Sequence, residues 1–248
     1  MRHSPDRPCR KHRSGDRSEH SLNWTDPIDG YCERTSAAFW AEPVNAATNL
    51  AFILAAGLAF AAWRAERRAG RPLDLAALLL TLLVSVIGVG SFLFHTLANR
   101  WSALADTVPI AVFIYGYFAL ALHRFGGLPA SVALGGTLAF LSASIGLAEP
   151  LFAPLVGSSA GYVPALLALF GIGAWLALAG RPAGRALLAA GLVFLVSLSF
   201  RTLDMPVCPS LPLGTHFLWH VLNALTLLIL VLAAIRHRTQ RSRKRIGP

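Results

Sequence analysis

The chain has 248 residues, 55% of them apolar and only 14% charged. An ordinary soluble domain carries about a quarter charged residues, so this composition excludes one and places the chain in a bilayer. The net charge of +10 does not read as nucleic-acid affinity, because the basic residues of the body gather after alternate apolar runs, where they mark topology.

In chain order, Met1 to Glu19 reads as a disordered polar tail, with no short apolar leader core before the first long run. The tail extends over residues 1–28, a membrane body follows at 29–236, and a basic cytoplasmic tail closes the chain at 237–248. A hydrocarbon core of about 30 Å takes about 20 helical residues. Seven such runs can be drawn: Val44 to Trp63, Leu75 to Leu97, Ala103 to His123, Ser131 to Leu147, Val163 to Ala179, Ala186 to Phe200 and Leu213 to Ile235. The fourth and sixth are short. Period-two alternation is absent and the runs are too long for barrel strands, which disfavours a transmembrane barrel. The predicted fold is an all-α bundle of seven transmembrane helices, without internal repeats.

Arg64, Arg67, Arg68 and Arg71 follow the first run, Arg124 the third, Arg181 and Arg185 the fifth, and Arg236, Arg238, Arg241, Arg243, Lys244 and Arg245 the seventh. The opposite face has only Arg34, Arg100 and Arg201 near helix ends. The positive-inside rule therefore predicts an outer N-terminus and a cytoplasmic C-terminus. The cations from Arg2 to Arg17 lie more than about 20 residues from the first run, where the rule loses force.

This topology gathers polar side chains at the outer helix ends. His95 closes the second run, and Asp106 stands about one turn into the third. Asp204 follows the sixth run, and Glu33 and Glu42 precede the first. His216 and His220 occupy the first two turns of the seventh, roughly 6 to 12 Å deep. Ionisable groups are costly at such depth, so a cluster of them is a candidate site. Residues four apart share a helix face, so His216 and His220 can bind one ion, and His95 is the candidate third ligand. Three histidines with an open fourth position make a common catalytic zinc set. Ser91 lies one turn before His95, and Asp106 can act as general base on a water whose pKa the ion lowers. The combination reads as hydrolysis.

Plainer readings stand beside these. The pair His216 and His220 by itself fits an interfacial polar pair equally well, while His123 and His237 read as interfacial residues. Arg201 and Asp204, three apart, read as an ion pair at a helix end, and Asn45 and Asn49 as bonds between helices. Trp40, Trp63, Trp101 and Trp219 fit an aromatic belt. Cys32 and Cys208 both fall on the outer side, where an oxidising space favours a disulfide; two unpaired thiols are the alternative. Cys9 reads as free.

The segment Asp29-Gly30-Tyr31-Cys32-Glu33, with Trp40-Ala41-Glu42-Pro43-Val44-Asn45 and Asn49, resembles the N-terminal motif of the alkaline ceramidases. Ser91-Phe92-Leu93-Phe94-His95 with Asp106, and His216-Phe217-Leu218-Trp219-His220, resemble the other two signatures of that family and of the wider CREST superfamily of seven-helix membrane hydrolases. The resemblance covers about Asp29 to Arg236.

It implies a zinc ion on His95, His216 and His220, with Ser91 polarising the substrate carbonyl and Asp106 acting on the attacking water. It also implies a calcium site on Glu33, Glu42, the Tyr31 carbonyl and Asp29, with oxygen ligands that suit this ion. That set departs from the family pattern: Asp29 is displaced by one position, with Gly30 where an acid often stands, and Thr35 replaces an amide or acid. The expected activity is hydrolysis of a ceramide-like lipid, supplied laterally by the bilayer, to a fatty acid and a sphingoid base. Alternatives are a hydrolase of another lipid amide or ester, and a seven-helix receptor or sensor with structural zinc. A metal-ion transporter is disfavoured because the inner half of the bundle is largely apolar.

Overall fold

The computed structural model describes residues 23–246, with side chains through His237. The expected disordered tail to Glu19 and its Cys9 lie outside the described residues. Eight α-helices follow in order: α1 Pro43–Thr48, α2 Leu50–Arg68, α3 Leu75–Leu97, α4 Arg100–Leu120, α5 Ala130–Val156, α6 Val163–Leu178, α7 Ala183–Val207 and α8 His216–Ile246. A π-helical turn, Ala121–Phe125, extends α4, and a 3-10 helix, Gly157–Tyr162, joins α5 to α6.

Six helical stretches among the described residues are long and apolar enough to cross a membrane, against seven runs read from the sequence. The difference lies at Ala130–Leu178, where the 3-10 connection leaves one helical stretch of 49 residues. Helix ends are cut by local hydrogen bonds. Asn99 starts α4 in a reciprocal capping box, with Ser102 N–H donating to Asn99 Oδ1 and Asn99 N–H to Ser102 Oγ, both at 3.1 Å. The first predicted run breaks at Asn49 into α1 and α2. By contrast, α7 continues through the predicted end at Phe200, because Arg201, Thr202 and Asp204 find partners inside the protein and need no water.

The helices pack with α8 between α7 and α2, and with α3 between α2 and α4. Phe52, Ile87, Phe113, Leu187 and Val231 are buried in one core cluster, while Leu54, Leu79, Leu138 and Leu192 are exposed, as a lipid-facing surface requires. A Cβ at Gly90 would run into the Ala105 carbonyl, so glycine lets α3 and α4 approach closely. Ser91, the next residue, is thereby brought to Asp106. At the other end of the bundle Arg124 donates to both Asp74 oxygens at 2.8 and 2.9 Å and to the Ala234 carbonyl at 3.2 Å, tying α3, α4 and α8 together.

Candidate metal centre

The site is built around the start of α8. Gly214 turns the chain at φ +67°, and the Asp204 carboxylate accepts main-chain N–H bonds from Thr215 at 2.7 Å, His216 at 2.9 Å and Cys32 at 3.0 Å. A carboxylate there satisfies free helix donors and suits the positive helix end. It also ties the N-terminal segment to α7 and α8, as does the Cys32–Cys208 disulfide, with Cα atoms 5.5 Å apart. The expected Arg201–Asp204 ion pair is therefore corrected: Asp204 is a helix cap, and its oxygens are directed to amides. Arg201 instead donates to Ser158 and Ser159, hydrogen-bonds Tyr31, and lies over the Tyr162 and Trp219 rings at 5.0 and 5.8 Å.

His95 from α3 and His216 and His220 from α8 are fully buried, and one nitrogen from each lies within 4.8 Å of the others. They are the one group of three or more His, Cys, Asp or Glu side chains gathered in this way among the described residues. His95 Nδ1 faces Glu42 Oε2 at 2.5 Å. His220 Nδ1 faces Thr48 Oγ1 at 2.9 Å, and the Thr48 hydroxyl proton is directed to the carbonyls of Val44 and Asn45. Both rings therefore donate from Nδ1, which leaves Nε2 as a bare lone pair. His95 Nε2, His220 Nε2 and His216 Nδ1 are all buried without a partner among the described residues. Three convergent lone pairs, two of them oriented by an acceptor behind the ring, fit a metal ion. Tyr31 covers them from the N-terminal segment, its ring 3.9 Å from that of His216, and burial pushes its phenol pKa up.

Glu42 also ion-pairs with the Arg34 guanidinium and accepts from Asn45 Nδ2 at 3.2 Å. Burial works to raise its pKa, but the hydrogen bond and charge of His95, with the Arg34 and Asn45 bonds, outweigh it and hold the carboxyl below its ordinary value. Arg34 further donates to the His95 carbonyl at 3.1 Å. Ser91 and Asp106 are buried and hydrogen-bonded to each other.

The residues named for calcium have the following partners. Glu33 spends its two oxygens on the amides of Val44 and Asn45, each at 2.8 Å, capping α1. Glu42 is held by Arg34 and His95, the Tyr31 carbonyl accepts from the Arg34 N–H at 3.2 Å, and Asp29 is exposed. Asn45 and Asn49 bond along their own segment rather than between helices: Asn49 Nδ2 donates to the Asn45 carbonyl at 2.9 Å. Trp219 leaves the expected interfacial belt, being buried between Tyr162 and Phe194. It stands at the head of an apolar cavity that follows α8 as far as Leu230, with about 640 Å³ of free space including its open side.

The sequence reading did not single out Thr48 or Arg34, and it named Glu42 for calcium rather than as the acceptor behind His95. Thr48 and Asn45 lie three residues apart in a six-residue helix too short to show a periodicity; only the fold carries them to His220.

Residues 27–246 match the family model described as Ceramidase. No curated protein matches the chain.

Proposed function

Because the chain belongs to the Ceramidase family, we propose that it is a zinc-dependent membrane amidase that hydrolyses the N-acyl bond of ceramide-like lipids to a fatty acid and a sphingoid base. Family membership supports ceramide hydrolysis. The observation that supports the metal is the set of three buried, partnerless ring nitrogens on His95, His216 and His220; all-nitrogen ligation by three histidines suits zinc. The proposal does not extend to calcium, since the oxygens of Glu33 and Glu42 are taken up by amides, Arg34 and His95.

In this reading Ala130–Leu178 crosses the bilayer twice, because a straight helix of 49 residues would measure roughly 74 Å, more than twice the hydrocarbon thickness. Seven crossings put the two termini on opposite sides, and the arginines at or just beyond the C-terminal ends of α2, α4, α6 and α8 favour the cytoplasm for the C-terminus.

Zinc in the triad supplies Lewis acidity to a carbonyl oxygen and makes water more acidic. The chain's own residues do the rest. The apolar cavity takes a lipid chain and keeps bulk water from it. Asp106 accepts a proton from the water that adds to the amide carbon and delivers it to the nitrogen as the C–N bond breaks, leaving a carboxylic acid and an amine. Ser91 holds the Asp106 carboxylate and then offers its hydroxyl to the substrate oxygen. Glu42 and Thr48 keep His95 and His220 in the tautomer with a free Nε2.

Incubation of the zinc-loaded protein with ceramides, other N-acyl lipids and lipid esters, with products identified by mass spectrometry, tests the reaction. The expected result is free fatty acid and sphingoid base from ceramides; turnover of esters alone refutes the amidase. The His95→Ala, His216→Ala, His220→Ala triple variant, folded, is expected to lose stoichiometric zinc, and its retention removes the site.

A further inference from the structure

The cavity beside the triad is apolar except at four side chains, and two of these are already spent. Tyr117 donates its hydroxyl to the Leu230 carbonyl at 2.9 Å, and Thr226 to the Leu222 carbonyl at 2.9 Å. Asn223 is different. It is 3% exposed and lines the cavity, yet its carboxamide has no hydrogen-bond partner among the described residues. An amide that faces an apolar cavity without a protein partner is costly unless a ligand or water meets it; the other α8 residues on the cavity wall are Trp219, Thr226, Leu227 and Leu230. Asn223 is three residues past His220 and seven past His216, so it lies on the metal-facing side of α8, about 4.5 Å further along the axis than His220.

We propose that Asn223 is a specificity-determining residue that hydrogen-bonds a hydroxyl carried by the lipid chain in this cavity close to the scissile amide, either on the acyl carbon next to the carbonyl or on the second base carbon beyond the nitrogen. The inference rests on the amidase reading and adds the ligand's chemistry to it. A carboxamide can both donate and accept, so it fits a hydroxyl in either sense. It rewards a chain hydroxylated near the amide and leaves an unpaired group against a plain one. Tyr162, the fourth polar side chain of the cavity, stands across from Trp219 with ring centroids 5.0 Å apart and serves as the control position.

The test uses lipid pairs differing by one hydroxyl: ceramides with and without a 2-hydroxyl on the acyl chain, and with and without the 3-hydroxyl on the base. Wild type and Asn223→Leu, each checked for zinc content and melting temperature, are compared in kcat/KM and in binding of the same lipids to metal-free protein. One neutral hydrogen bond corresponds to roughly threefold to tenfold discrimination. The expected result is such a preference for the hydroxylated member of at least one pair in wild type, reduced to about unity in Asn223→Leu and partly restored in Asn223→Gln. Equal ratios in wild type and Asn223→Leu overturn the proposal, as does a preference that survives there and disappears in Tyr162→Phe. Absence of turnover by wild type on every lipid counts against the amidase reading, and the binding ratios then decide the role of Asn223 by the same criteria. If Asn223→Leu does not fold, Asn223→Ala is read in its place.

Discussion

Glu42→Gln probes the support behind the metal triad. Glu42 joins two groups with no other carboxylate: His95 Nδ1, 2.5 Å from Oε2, and the buried Arg34 guanidinium on Oε1. Glutamine keeps the shape and removes the charge, so Arg34 is left as an uncompensated cation in a site with 9% of its surface exposed. Breaking one side of a buried pair costs about 3 to 5 kcal/mol. His95 meanwhile loses its carboxylate acceptor, and loss of such an outer partner typically costs about 10 to 100-fold in metal affinity. Denaturation of the metal-free protein in detergent reads the first effect, and competition with a chromogenic chelator reads the second. The double variant Arg34→Gln, Glu42→Gln separates them: removing both charges should recover most of the stability, but zinc affinity should stay low because His95 still faces an amide. A Glu42→Gln protein within about 0.5 kcal/mol of wild type, the range of ordinary surface changes, and with unaltered zinc affinity would refute the assigned role of Glu42.

Asp106→Asn is expected to keep zinc and lose about 10² to 10⁴ in turnover; full zinc with near-wild-type hydrolysis takes Asp106 out of the mechanism. Gly214→Ala should lower the melting temperature and weaken zinc binding together, because a Cβ there meets Asp204 and Cys32 and the φ of +67° disfavours alanine; an unchanged melting temperature argues against the Asp204 cap as the organiser of the α8 start. Peptide mapping without reduction should recover Cys32 and Cys208 as one linked pair, and reduction should lower stability by about 2 to 5 kcal/mol; recovery of both as alkylated thiols rejects the bond.

Hydrophobicity is additive along the chain, so the helical class and most of the spans were legible from composition and run length alone. The His216/His220 pair was legible too, because a four-residue spacing on one helix is a local property, and the positive-inside pattern brought His95 to the same side. Partnerships between segments were not. Nothing in the spacing of Glu42 and His95, or of Thr48 and His220, states that α1 lies across α3 and α8; that contact depends on close approaches such as Gly88 against Phe52 and Asn49. Asp204 and Arg201 are neighbours on one helix, yet packing sends the first to the amides of α8 and the second to Tyr31, Tyr162 and Trp219. Side-chain burial likewise depends on which helices meet, and for that reason Trp219 and Asn223, indistinguishable in sequence from belt and interfacial residues, became cavity walls only in the tertiary structure.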